Sequence, residues 1–69
     1  MTVKYRMTCY SADNMALRVR HSHSDNFLQA IAEGVEDPPD DCAYVELTRL
    51  DGTIVWHGTR DEALKYLVS

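Results

Sequence analysis

The sequence predicts an α+β fold with the order ββαββα, in which a four-stranded antiparallel sheet carries two helices packed on one face. Three observations lead there. Apolar and polar residues alternate in four short segments, and stretches of helical spacing follow the second and the fourth. Asp51-Gly52 is a hairpin turn signal, and Thr59-Arg60-Asp61-Glu62 is a capping box that opens a helix. The 69 residues suffice for one core and not for two. The chain therefore reads as a single domain of two β-hairpin–helix units, about 1–34 and 42–69, joined by an acidic, proline-containing loop at 35–41.

Val3, Tyr5, Met7 and Cys9 alternate with Lys4, Arg6 and Thr8, the pattern of a half-buried first strand. Alternation returns from Met15 to His21, after the turn residues Ser11-Ala12-Asp13-Asn14. A three-residue loop at Ser11-Ala12-Asp13 opposes Met7 to Leu17 and Tyr5 to Val19, which places apolar residues on a common face. The same register opposes Arg6 to Arg18 and Lys4 to Arg20.

Ser24 as cap, Asp25 in the first turn and Phe27, Leu28, Ile31 and Ala32 at helical spacing predict a helix from about Asp25 to Glu33, with Gly34 ending it. The loop Val35-Glu36-Asp37-Pro38-Pro39-Asp40-Asp41 follows, because paired prolines continue neither helix nor inner strand. Cys42 to Leu50 is the third strand, with Ala43, Val45 and Leu47 inward. Thr53 to His57 is the fourth. A two-residue Asp-Gly turn opposes Leu47 to Trp56 and Arg49 to Ile54, leaving Tyr44, Glu46, Thr48, Val55 and His57 outside. Ala63, Leu64, Leu67 and Val68 give the last helix its apolar stripe. An offset of 36 residues, from His21 to His57, aligns the two units loosely.

A composition of 45% hydrophobic and 26% charged residues belongs to a folded domain. No apolar run approaches the roughly 20 residues of a membrane span, and the N-terminus lacks the apolar segment of a signal peptide, so the expected location is the cytoplasm and no membrane is involved. Cys9 and Cys42 lack the close spacing of a zinc or redox motif and are read as reduced thiols.

The net charge of −4 is unevenly spread. Residues 1–24 hold Lys4, Arg6, Arg18 and Arg20 against Asp13, whereas residues 25–41 hold six acids and no Lys or Arg. On the predicted register the four cations share the open sheet face with Tyr44 and His57. Like charges opposed across strands call for an anion: a nucleic-acid backbone, an acidic protein surface, or this chain's own carboxylates. The overall acidity weighs against nucleic acid.

Glu33, Glu36, Asp37, Asp40 and Asp41 form the second candidate site, an acidic loop suited to a basic protein patch; they lack the ligand alternation of an EF-hand. His21, His23 and His57 sit at equivalent strand-to-helix junctions and are the candidate zinc ligands if those junctions converge. No nucleophile–base pair, Gly-rich phosphate loop or carboxylate pair has a recognisable setting, so no catalytic residue and no cofactor is expected.

The reading that follows is a non-enzymatic protein-binding module, an inhibitor or accessory protein, acting as a monomer or homodimer. A nucleic-acid-binding protein using the cationic sheet is the alternative, and a structural metal-binding domain is third. Small inhibitors encoded by phages and mobile elements, anti-CRISPR and anti-restriction proteins among them, share this size, acidity and lack of catalytic signatures. That is a likeness of type without a matching motif.

Overall fold

A computed structural model describes residues 3–67. The elements are β1 (Tyr5–Tyr10), β2 (Ala16–Ser22), α1 (Phe27–Val35), β3 (Tyr44–Arg49), β4 (Ile54–Thr59) and α2 (Arg60–Leu64), the last continued by a 3-10 turn at Lys65–Leu67. The strands form one antiparallel sheet in the order β2-β1-β3-β4. The fold is thus α+β with the predicted element order. Val68 of the predicted last stripe lies outside the described residues.

Both helices pack on the sheet face that carries Met7, Cys9, Val45 and Leu47. Ala30, Ile31 and Val35 of α1 and Ala63 of α2 complete the buried cluster with Cys42, so the two units share one core. Each large aliphatic side chain withdrawn from water there contributes about 1.5–3 kcal/mol. Trp56 meets Tyr66 edge-on, with ring centroids 5.8 Å apart, and closes the α2 end of this core.

The β1–β2 register differs from the predicted one. Five turn residues separate the paired Tyr10 and Ala16, and a bulge follows, after which Cys9 opposes Arg18, Met7 opposes Arg20 and Tyr5 opposes Ser22. The bulge inserts Leu17 as one extra residue, and one extra residue sends every side chain beyond it to the other face. Val19 and His21 therefore turn outward, while Arg18 and Arg20 turn toward the helices. A second bulge, at Val55, acts in the same way on β3–β4: Leu47 opposes Trp56 as predicted, but Ile54 opposes Thr48. Val55 packs against the core, and Ile54 is 53% exposed.

The first helix begins and ends two residues later than predicted. Asn26, not Ser24, is the cap, its Oδ1 accepting from the Leu28 amide at 2.9 Å. Gly34 lies inside the helix, where a Cβ would stand 2.5 Å from Met7 Cβ. The bare glycine lets the helix backbone approach β1, and the face that meets the sheet is Ala30, Ile31, Gly34 and Val35; Phe27 and Leu28 are left exposed. The capping box of α2 forms as predicted. The Thr59 amide donates to Glu62 Oε1 at 2.9 Å, and the Glu62 amide donates to Thr59 Oγ1 at 3.1 Å. The bond from the Thr59 amide, and after it the Thr59 side chain, holds the Glu62 carboxyl below its ordinary range.

Candidate functional site

The cationic quartet is not assembled. Arg18 donates from Nη2 to Gly34 O at 3.1 Å and Glu36 O at 2.9 Å, and from Nη1 to Asp37 O. Arg20 donates from Nη1 to Glu33 O at 3.3 Å. The last carbonyls of a helix lack intrahelical partners and carry the negative end of its dipole. The two arginines are therefore neutralised by the C-terminal end of α1, on the opposite side of the sheet from the predicted site. Lys4 lies just before β1 in an exposed ion pair with Asp25 at 3.7 Å. Of the four, Arg6 alone remains on the open face.

That face is built from Arg6, Thr8 and Tyr10 of β1, Val19 and His21 of β2, Tyr44, Glu46 and Thr48 of β3, and Ile54 and His57 of β4. It contains a shallow hollow of about 500 Å³ whose floor includes Arg6, Thr8, Glu46 and Thr48. Arg6 and Glu46 occupy diagonal positions across the central strand pair, so the face carries both signs of charge. Tyr10 and Tyr44 oppose one another there and stack, with centroids 5.1 Å apart and planes 18° from parallel. The Tyr44 hydroxyl donates to Asn14 Oδ1. Asn14 has φ of 66°, a left-handed conformation that Asn tolerates in the turn between β1 and β2. Sequence reasoning found Tyr44 and missed Tyr10, although Arg6, Thr8 and Tyr10 continue the outward alternation by one step. Val19 and Ile54 were missed because only the bulges turn them outward.

The acidic loop divides into two groups. Glu33 belongs to α1, and its carboxylate is engaged: Ser22 Oγ donates to Oε1 at 2.6 Å, and Gln29 Nε2 donates to Oε2 at 3.3 Å. Glu36, Asp37, Asp40 and Asp41 lie at the surface, and none forms an ion pair among the described residues. Their backbone is held from beneath. Arg18 binds the Glu36 and Asp37 carbonyls, Arg60 Nη1 donates to Asp40 O at 3.5 Å, and the Cys42 amide donates to Pro39 O at 3.0 Å. Because the arginines take carbonyl oxygens, the carboxylates remain free on the outside. Asp37 has φ of 51°, which turns the chain between the helix end and the two prolines.

The histidines do not converge. His21 is on edge strand β2 and His57 on the opposite edge strand β4, with β1 and β3 between them. Three strand spacings of about 4.8 Å put roughly 14 Å between those positions. His23 is exposed beyond the end of β2, and among the described residues no group of three His, Cys, Asp or Glu side chains is placed to hold a metal ion.

Cys9 and Cys42 are both free and buried, at 1% and 4% exposure. The Cys42 thiol, which donates to Tyr44 O at 3.7 Å, is pushed up to about 11, first by burial and then by the nearby Cys9 thiol. No helix among the described residues is long and apolar enough to cross a membrane. Compared with known protein families, curated proteins and solved structures, the chain matches none of them.

Proposed function

We propose that the protein is a small non-enzymatic protein-binding module, of the inhibitor or accessory kind, that presents its acidic loop and open sheet face to a basic protein target. One observation carries this reading: four unpaired carboxylates project from a loop whose backbone carbonyls are fixed by Arg18 and Arg60. A surface ordered before encounter loses less conformational entropy on binding, and unpaired surface charge raises the rate of encounter with a partner of opposite sign. Neutralising Asp37, Asp40 and Asp41 together to Asn should weaken capture of the target from native lysate at least tenfold while circular dichroism stays unchanged. Equal capture by the triple variant would remove the loop from the account.

A second reading, a nucleic-acid-binding protein, draws on the stacked Tyr10 and Tyr44 beside Arg6 and the histidines of the open face. It has lost Arg18 and Arg20 as backbone contacts. Nuclease treatment of the same lysate, and titration of single-stranded RNA and DNA at low salt, separate the two readings.

A further inference from the structure

We propose that, before any target is met, the open sheet face pairs with the same face of a second copy of this chain, about a twofold axis that sets Arg6 of each copy against Glu46 of the other. Arg6 and Glu46 stand on this face at diagonal positions across the central pair β1–β3. Diagonal neighbours lie about 7–8 Å apart, within reach of two long side chains. Yet neither side chain has an ion-pair or hydrogen-bond partner among the described residues. The other diagonal is uncharged. Val19 pairs with Thr8, Ile54 pairs with Thr48, and Thr8 and Thr48 are themselves diagonal across β1–β3. Val19, Thr8, Thr48 and Ile54 thus lie along one oblique line across all four strands. Val19 and Ile54, at its ends, are 48% and 53% exposed on the side of the sheet that the helices leave bare.

In a twofold contact, residue i of one copy meets residue j of the other and j meets i. A twofold axis along the uncharged line exchanges Arg6 with Glu46, so both charge pairs form, and Val19 and Ile54 meet their own copies and leave water. The strands of the two sheets then cross steeply, toward the orthogonal mode of sheet packing. A polyanion would face Glu46 as well as Arg6, whereas a second copy satisfies both charges. Four strands of six or seven residues, spaced by about 4.8 Å, give a face about 20 Å on a side. That is small for a specific interface, so the pairing is reversible and concentration-dependent. The acidic loop is held from the helix side by Arg18 and stays outside the contact. Pairing does not depend on what the loop binds; a target that takes the sheet face competes with the second copy.

The test is sedimentation equilibrium of the full chain, under reductant, from about 10 µM to about 1 mM. The parent should pass from one-chain to two-chain mass across that range. Arg6→Glu and Glu46→Arg should each stay monomeric at the top of it, because each sets like charges together twice, with the circular dichroism of the parent. An equimolar mixture of these two variants should recover the dimer, since every charged contact is then between opposite signs. Val19→Asp, on the axis, should be monomeric, and this arm needs neither charge variant to fold. A parent of one-chain mass throughout overturns the proposal, whether or not its face then binds single-stranded RNA or a captured target. So does a dimer that survives either charge reversal or Val19→Asp, and so does a mixture of the two folded charge variants that stays monomeric.

Discussion

Gly34 of α1 and Met7 of β1 meet so closely that a Cβ on the glycine would stand 2.5 Å from Met7 Cβ and 2.6 Å from Met7 Cγ. Met7 Cβ is attached to a central strand and cannot swing aside. Gly34→Ala gains about 1 kcal/mol of helix propensity, but forcing a methyl group into a filled core costs about 1–3 kcal/mol. With the approach this close overpacking should win, leaving a net loss of up to about 2 kcal/mol. Urea denaturation checks this, and a variant as stable as the parent would mean that the helix can lift from β1 without loss.

Arg18 ties β2 to the end of α1 and to the acidic loop through three carbonyls. Replacing it by Met keeps the aliphatic stem and removes the donors. Because Arg18 is only partly buried, the loss should be near that of one charged hydrogen bond, about 2–3 kcal/mol, and not the sum of three. Arg18→Lys should recover less than half, since an ammonium cannot span the three carbonyls. Amide exchange in residues 36–41 should accelerate in both variants, because the loop loses its anchor. Exchange that keeps its parental rate would show that the prolines, Arg60 and the Cys42 amide hold the loop without Arg18.

These relationships mark where the sequence was legible. Hydrophobic alternation, the Asp-Gly turn and the Thr59–Glu62 box were enough for the element order and for half of the β3–β4 register. The bulges at Leu17 and Val55 left no comparable trace. Both are apolar residues within apolar runs, so a pattern of period two cannot say which one is extra. The consequence for the candidate site was large. Arg18 and Arg20 looked like surface charge in need of an anion, and their partners were instead the carbonyls at the end of α1, which become visible only when the helix lies across β2. Gly34 was read as a helix stop because a chain pattern records conformation more readily than close approach. Of the five acids grouped from the sequence, Glu36, Asp37, Asp40 and Asp41 lie exposed on the loop, while Glu33 is bound to Ser22 and Gln29 by a contact no spacing foretells.

The capping box makes the last helix sensitive to acid. Glu62 has a lowered folded value because the Thr59 amide and hydroxyl hold its charged form. A lowered acid contributes stability that is present above the unfolded carboxyl range, near 4.3, and is lost as pH falls through the folded value. Glu62→Gln should therefore lower Tm at pH 7, and its difference from the parent should shrink as the pH is lowered to 3. Thr59→Ala should cost about 1 kcal/mol at pH 7, as for other lost N-caps. Thermal melts at the two pH values check both, and a gap between parent and Glu62→Gln that persists unchanged at pH 3 would detach the effect from the carboxylate.

Cys42 makes the opposite prediction at alkaline pH. In the unfolded chain its thiol ionises near the ordinary value of 9.0, whereas in the fold burial and the Cys9 thiol hold the proton until about 11. Between those values the unfolded chain binds fewer protons than the native one, so stability falls as pH rises. Crossing that window should remove on the order of 2–3 kcal/mol. Tyrosines and lysines titrate in the same range, so the measurement is a comparison: urea midpoints from pH 8.5 to 11, under reductant, for the parent and for Cys42→Ala. The variant starts lower because it loses packing in the core, but its curve should be flatter, and the two should approach one another at the alkaline end. Parallel curves would mean that the thiol ionises as readily inside the fold as outside it, and that the core around Cys9 and Cys42 admits water.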